Sequence, residues 1–226
     1  MTAVDVETEI AAFGDLNVQW DRRIMRPRPW TTAQSHWAAA LSASCPDGPL
    51  LELCCGAGQI GLLAAIMTGR PLIQVDRDPV AAAYVRRNAA ATGMTSDVRA
   101  ASMADALADD ERVALVILDP PWVPSAEVAD EDHPPSTVDG GIDGTALLVL
   151  GLGVALRHLM PGGHVVAQLG TPQQVDVVRA LLEGRTGKHP RWVVREVRDY
   201  RPGGMLVDIG PDPAADGAQP PSGARR

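Results

Sequence analysis

A chain of 226 residues, 46% hydrophobic and 21% charged, has the length and composition for one sizeable core and no more than one main domain. No run approaches the roughly 20 apolar residues of a membrane helix, and the opening MTAVDVETEI is acidic where an export signal would be basic and then apolar; a membrane partner is set aside and a cytoplasmic protein is expected. A formal charge of −8 weighs against nucleic acid, although the local stretch WDRRIMRPRPW keeps a basic contact open.

Residues 1–45 read as an N-terminal cover. Pro27, Arg28 and Pro29 impose an extended segment, and a helical pattern follows from Thr31 to about Ala43. From residue 46 the pattern becomes regular: strand LLELCC, helix 59–68, strand PLIQVD, helix 79–92, strand DVRAAS and strand ALVIL. Strands separated by helices of that length imply right-handed crossovers and a parallel sheet. An apolar helix over 145–159 stops at PGG, strand HVVAQLG follows, and a helix covers 173–183. The last apolar segments, RWVVREVRDY and GMLVDIG, are joined by the short RPGG and should pair as an antiparallel hairpin. The expected fold is a doubly wound, seven-stranded, mostly parallel α/β sheet over 46–210. The Pro- and Ala-rich tail 211–226 is expected to be disordered. Cys45, Cys54 and Cys55 have neither the number nor the spacing of a disulfide framework or a zinc site, so reduced thiols and no metal are expected.

Two short motifs carry chemistry. GAGQIG, residues 56–61, follows the first strand and opens a helix, which lets bare backbone approach a ligand. Asp76 ends the next strand, where a carboxylate can accept both hydroxyls of a ribose. NAD and S-adenosylmethionine both satisfy that pattern. Glu52 lies inside the first strand, where a dinucleotide-binding strand is normally apolar, and its charge suits a cationic cofactor.

Glu52, Cys54, Gly56 and Gly58 together resemble the acidic-x-G-x-G-x-G motif of the class I S-adenosylmethionine-dependent methyltransferases, with Cys54 in place of the first glycine. The resemblance implies a Rossmann-like methyltransferase fold and S-adenosyl-L-methionine as cofactor. It also implies Asp76 on the ribose, Arg77 along the adenine, and Ser102 and Met103 as adenine contacts where relatives offer an Asp. The next acid is Asp105.

The second motif, Asp119, Pro120, Pro121 and Trp122, ends the fourth strand, because two prolines cannot continue a ladder. It resembles the (N/D/S)-P-P-(Y/F/W) tetrad of enzymes that methylate amide or exocyclic nitrogen. The resemblance implies that Asp119 and the Pro120 carbonyl accept the target amino group while Trp122 stacks on its plane; Asp119 also borders the cofactor. TVDGGIDGTALL downstream and RPRPWT upstream are similar to stretches of the HemK/PrmC glutamine N5-methyltransferases. The acceptor implied is an amide or amino nitrogen of a protein or small molecule. An rRNA or DNA base amino group is the alternative, and an NAD(P)-dependent oxidoreductase is disfavoured by Glu52 and the tetrad.

Overall fold

The computed structural model describes residues 6–129, 134–185 and 191–214. The tail expected to be disordered lies mostly outside them. A β-hairpin, β1 (Glu9–Phe13) and β2 (Leu16–Trp20), precedes α1 (Thr32–Ser42). Then come β3 (Leu50–Leu53), α2 (Gln59–Thr68), β4 (Leu72–Asp76), α3 (Pro79–Thr92), β5 (Ser96–Ala100) and β6 (Val113–Leu118). The chain continues through α4 (Ala146–His158), β7 (Leu159–Leu169), α5 (Pro172–Glu183), β8 (Trp192–Asp199) and β9 (Met205–Pro211).

The main sheet has seven strands in the order β5-β4-β3-β6-β7-β9-β8. β3 to β7 are parallel, while β9 runs antiparallel to both β7 and β8. Every residue of β3 and β6 is buried, as expected for strands covered on both faces. Side-chain parity assigns the two faces. Leu51, Leu53, Val116 and Leu118 pack with Leu148 and Leu152 of α4 and with Val175 and Val178 of α5. Leu50, Leu115 and Ile117 point the other way, into Trp37 of α1, Ile60 and Leu62 of α2, and Tyr84 of α3.

The sheet turns back on itself between β3 and β6: the chain moves outward through β4 and β5, then returns to add β6 on the opposite side of β3. In an open α/β sheet such a reversal leaves a crevice beyond the carboxyl ends of the two strands. Leu53 and Leu118 are paired in register, so the segments after them emerge side by side.

Two elements differ from expectation. The acidic start contains the β1–β2 hairpin, whose inward residues Phe13, Leu16, Val18 and Trp20 are buried. Asn88 of α3 clasps it: the Gln19 amide donates to Asn88 Oδ1 at 2.8 Å, and Asn88 Nδ2 donates to the Ala57 carbonyl at 2.9 Å. The hairpin is thereby pinned to the loop after β3. β7 begins at Leu159 and carries Pro161, Gly162 and Gly163 within the strand, where PGG reads as a stop. The irregularity is absorbed by a register shift opposite Val113–Leu115.

Candidate active site

The crevice is a continuous cavity of about 600 Å³, within the usual range for small-molecule sites. One half lies over β3, β4 and β5. The backbone after β3 makes a tight loop in which Cys54 takes φ 59°, Gly56 φ 52° and Gly58 φ 83°. Cys54 is thus an L-residue held in the left-handed region, a cost on the order of 1 kcal/mol that glycine would avoid. A side chain at Gly56 would meet nothing within 4 Å, so bare backbone faces open cavity there. Asp76 bridges the loop: its Oδ2 accepts the Gly56 amide and its Oδ1 the Asp78 amide, each at 2.9 Å. Burial raises its pKa, against the pull of those two amides. Each oxygen keeps a second lone pair for a ligand hydroxyl. Cys54, Arg77, Ser102 and Met103 also line this half. Asp105 does not; its amide turns back to the Ser102 carbonyl.

Glu52 and Gly58, expected at the cofactor, stand behind the loop instead. Glu52 shares a strand face with Leu50, so its carboxyl lies beneath α2. There its Oε2 accepts Gln74 Nε2 at 2.6 Å, and the Gly61 amide in the first turn of α2 also holds it. Burial pushes its pKa up to about 8, which disfavours the charged form, and the carboxyl braces Gln74 rather than facing the cavity. Gly58 is needed for packing: a Cβ there would sit 2.7 Å from Gln74 Nε2 and 3.0 Å from Val85. Its carbonyl accepts the same Gln74 amide at 2.9 Å.

The other half lies over β6, β7 and β9. Asp119, Pro120, Pro121 and Trp122 all line it. The Asp119 carboxyl is pushed up to about 6 by burial, opposed by the charge of Arg28, and no hydrogen bond holds it. Among the described residues no donor reaches it. Trp122 packs over Gly170, where any side chain would collide with the ring.

The segment after the tetrad is tied by backbone. The Val123 amide donates to Val138, Gly140 to Val123 and Ser125 to Gly141. A Cβ at Gly140 would lie 2.7 Å from the Pro121 carbonyl, and one at Gly144 would strike the Trp122 carbonyl; the glycines of the DGGIDG stretch permit that close approach. Gln174, in the first turn of α5, staples the assembly. Its Nε2 donates to the Trp122 carbonyl at 2.9 Å and its Oε1 accepts the Gly170 amide at 2.8 Å.

Sequence reasoning assigned no role to Gln174, Gln168 or Gly203, and quoted Trp30 only within WDRRIMRPRPW and RPRPWT. Gln168, Gly203, Trp30 and Arg28 line the cavity from β7, the β8–β9 turn and the N-terminal segment. RPRPW was a visible signal for the last two, since consecutive prolines hold an extended strap. All three cysteines are free. Burial pushes Cys45 up to about 11 and raises Cys54 and Cys55 as well, so none is a poised thiolate. No helix among the described residues is long and apolar enough to cross a membrane.

The Methyltransferase small domain family matches residues 36–131. The release factor glutamine methyltransferase of Mycolicibacterium smegmatis is 35% identical over 182 residues, covering 76% of this chain and 63% of that protein. That of Gloeobacter violaceus is 28% identical over 205 residues, covering 84% and 68%. The chain spans about half to two thirds of the length of the curated relatives it matches. The T. thermophilus 16S rRNA N2 G1207 methyltransferase, solved with AdoMet and guanosine, shares the fold with a TM-score of 0.62 at 15% identity, covering 91% of this chain and 50% of that one.

Sheet order, glycine loop and family match define a methyltransferase domain of the class I, S-adenosylmethionine-dependent type. Within that class, the chain is HemK/PrmC-like.

Proposed function

We propose that the protein transfers a methyl group from S-adenosylmethionine to the side-chain amide nitrogen of a glutamine in a protein. The observation that carries this reading is Asp119, a carboxyl that no donor among the described residues reaches, beside an indole in a cavity continuous with the glycine loop. The likeness to release factor glutamine methyltransferases supplies the acceptor class, and a release factor is the first protein to test.

The residues of the first half fit the cofactor. Open space beside Gly56 admits a ligand against bare backbone, and Asp76 has acceptor capacity for a ribose. Arg77, Ser102 and Met103 would border the adenine. When bound, S-adenosylmethionine supplies an electrophilic methyl carbon, so the chain's own task is alignment of the nucleophile. An amide nitrogen is a poor nucleophile because its lone pair is delocalised into the carbonyl. Asp119, accepting one N–H, and the Pro120 carbonyl, accepting the other, would fix the amide plane and raise electron density on nitrogen. Trp122 would support that plane from one side.

The test incubates the protein with tritiated S-adenosylmethionine and purified release factor, peptides lacking glutamine, and RNA in parallel, then locates label by mass spectrometry. Label on a glutamine side chain supports the reading. Label in RNA alone, with binding that collapses between 50 and 200 mM salt by about 10³-fold, would replace it with a base methyltransferase.

A further inference from the structure

The strand order divides the cavity into a portion over β3, β4 and β5, where Asp76 lies, and a portion over β6, β7 and β9, where Asp119 lies. Trp30 belongs to the second portion. It lines the cavity yet is 48% exposed, an apolar ring turned to open space rather than to core. The backbone has been cleared for it: a Cβ on Gly203, in the β8–β9 turn, would lie 2.8 Å from Trp30 Cδ1. Trp122 has the same arrangement with Gly170. The two platforms adjoin, because Leu169 pairs with Met205 and Gln168 Nε2 donates to the Gly203 carbonyl at 2.7 Å. Arg28 joins the indole to the carboxylate: its guanidinium lies 5.6 Å from the Trp30 ring centroid, and its charge acts on Asp119.

We propose that Trp30 is the second aromatic wall of the acceptor subsite, so that the planar group of the acceptor is held by two indoles, Trp30 and Trp122. The proposal rests on the nitrogen-methylation reading above and deepens it. Trp30 is assigned to the acceptor rather than to the cofactor because its glycine platform adjoins that of Trp122 on the β7–β9 side.

Two measurements test it. With a glutamine-containing release-factor peptide, Trp30→Ala is expected to raise the acceptor KM roughly three- to tenfold, the worth of one stacking contact. Trp30→Phe should restore most of it, and S-adenosylhomocysteine affinity should stay within about twofold in both. Separately, the indole N–H signals of S-adenosylhomocysteine-saturated protein are followed by NMR, with Trp30 assigned from Trp30→Phe. Adding the peptide should move the Trp30 and Trp122 signals and leave the buried Trp37 in place. An unchanged KM in Trp30→Ala, or a Trp122 signal that moves while Trp30 does not, overturns the proposal. If wild-type protein neither methylates nor binds the peptide, the glutamine reading has failed. An arginine peptide and adenosine then serve as probes: a Trp30 shift with either supports the second wall, and no shift with both overturns it.

Discussion

Asp119 sets a measurable conflict between stability and chemistry. Raising its pKa from the ordinary 3.8 to about 6, at about 1.4 kcal/mol per pH unit, costs the ionised folded protein about 3 kcal/mol. The folded state holds this proton more tightly than the unfolded state, so stability from this group declines as pH rises from about 4 to about 6 and is constant above. Asp119→Asn removes the titration while keeping an acceptor oxygen. Its stability relative to wild type should therefore grow by about 2.5 kcal/mol between pH 4 and pH 7.5, a change in the melting-temperature gap of roughly 5–10 °C for a chain of this size. Thermal unfolding of both proteins at the two pH values gives the answer. Methyl transfer by wild type should fall by up to tenfold per pH unit below 6, as protonation replaces a charged acceptor by an O–H donor and a weaker neutral acceptor, while Asp119→Asn should lack that acid limb. A melting gap that is the same at pH 4 and pH 7.5 would refute the raised pKa of the Asp119 carboxyl.

Asp76→Ala should weaken S-adenosylhomocysteine binding by about 1.5–3 kcal/mol in calorimetry, the worth of hydrogen bonds to a charged acceptor, and lower the melting temperature because the Gly56 and Asp78 amides lose their partner. Gly56→Ala and Gly58→Ala should separate: the first places a methyl in open cavity and should lower ligand affinity more than stability. The second collides with Gln74 and Val85 and should lower stability by about 1–3 kcal/mol with affinity largely kept. Glu52→Gln should fold, and its melting temperature should gain on wild type as pH rises from about 4.5 to about 8, the window set by the raised Glu52 carboxyl; a gap independent of pH would mean that Glu52 is ionised.

The alternation of buried strands and helices from Leu50 onward was legible because both faces of β3 and β6 are covered, which turns them into short apolar runs bounded by glycine and proline. The two motifs were legible for the same reason: each sits where such a run stops. Glu52 shows what a motif leaves out. Its acidity suggested a ligand contact, but side-chain parity places it on the Leu50 face, under α2, and counting alternate positions along LLEL would have shown this. The β1–β2 hairpin escaped because EIAAF and LNVQW are each only five residues long, and its stability comes from partners such as Asn88 and Tyr84 that lie far along the chain. Trp30 and Gly203 escaped on the same ground: nothing local connects a proline strap to a turn near the last strand.

The two halves of the cavity also differ in how the chain assembles them. The cofactor side is drawn from one stretch, Cys54 to Met103, built from adjacent strand–helix units. The side proposed for the acceptor is stitched from Arg28 and Trp30, the 119–122 tetrad, the end of β7 and Gly203. Contacts of low sequence separation close with little loss of chain entropy, whereas distant ones must wait for several loops to close. The nucleotide side can therefore take shape early in folding, and the acceptor wall only after β9 has wedged between β7 and β8.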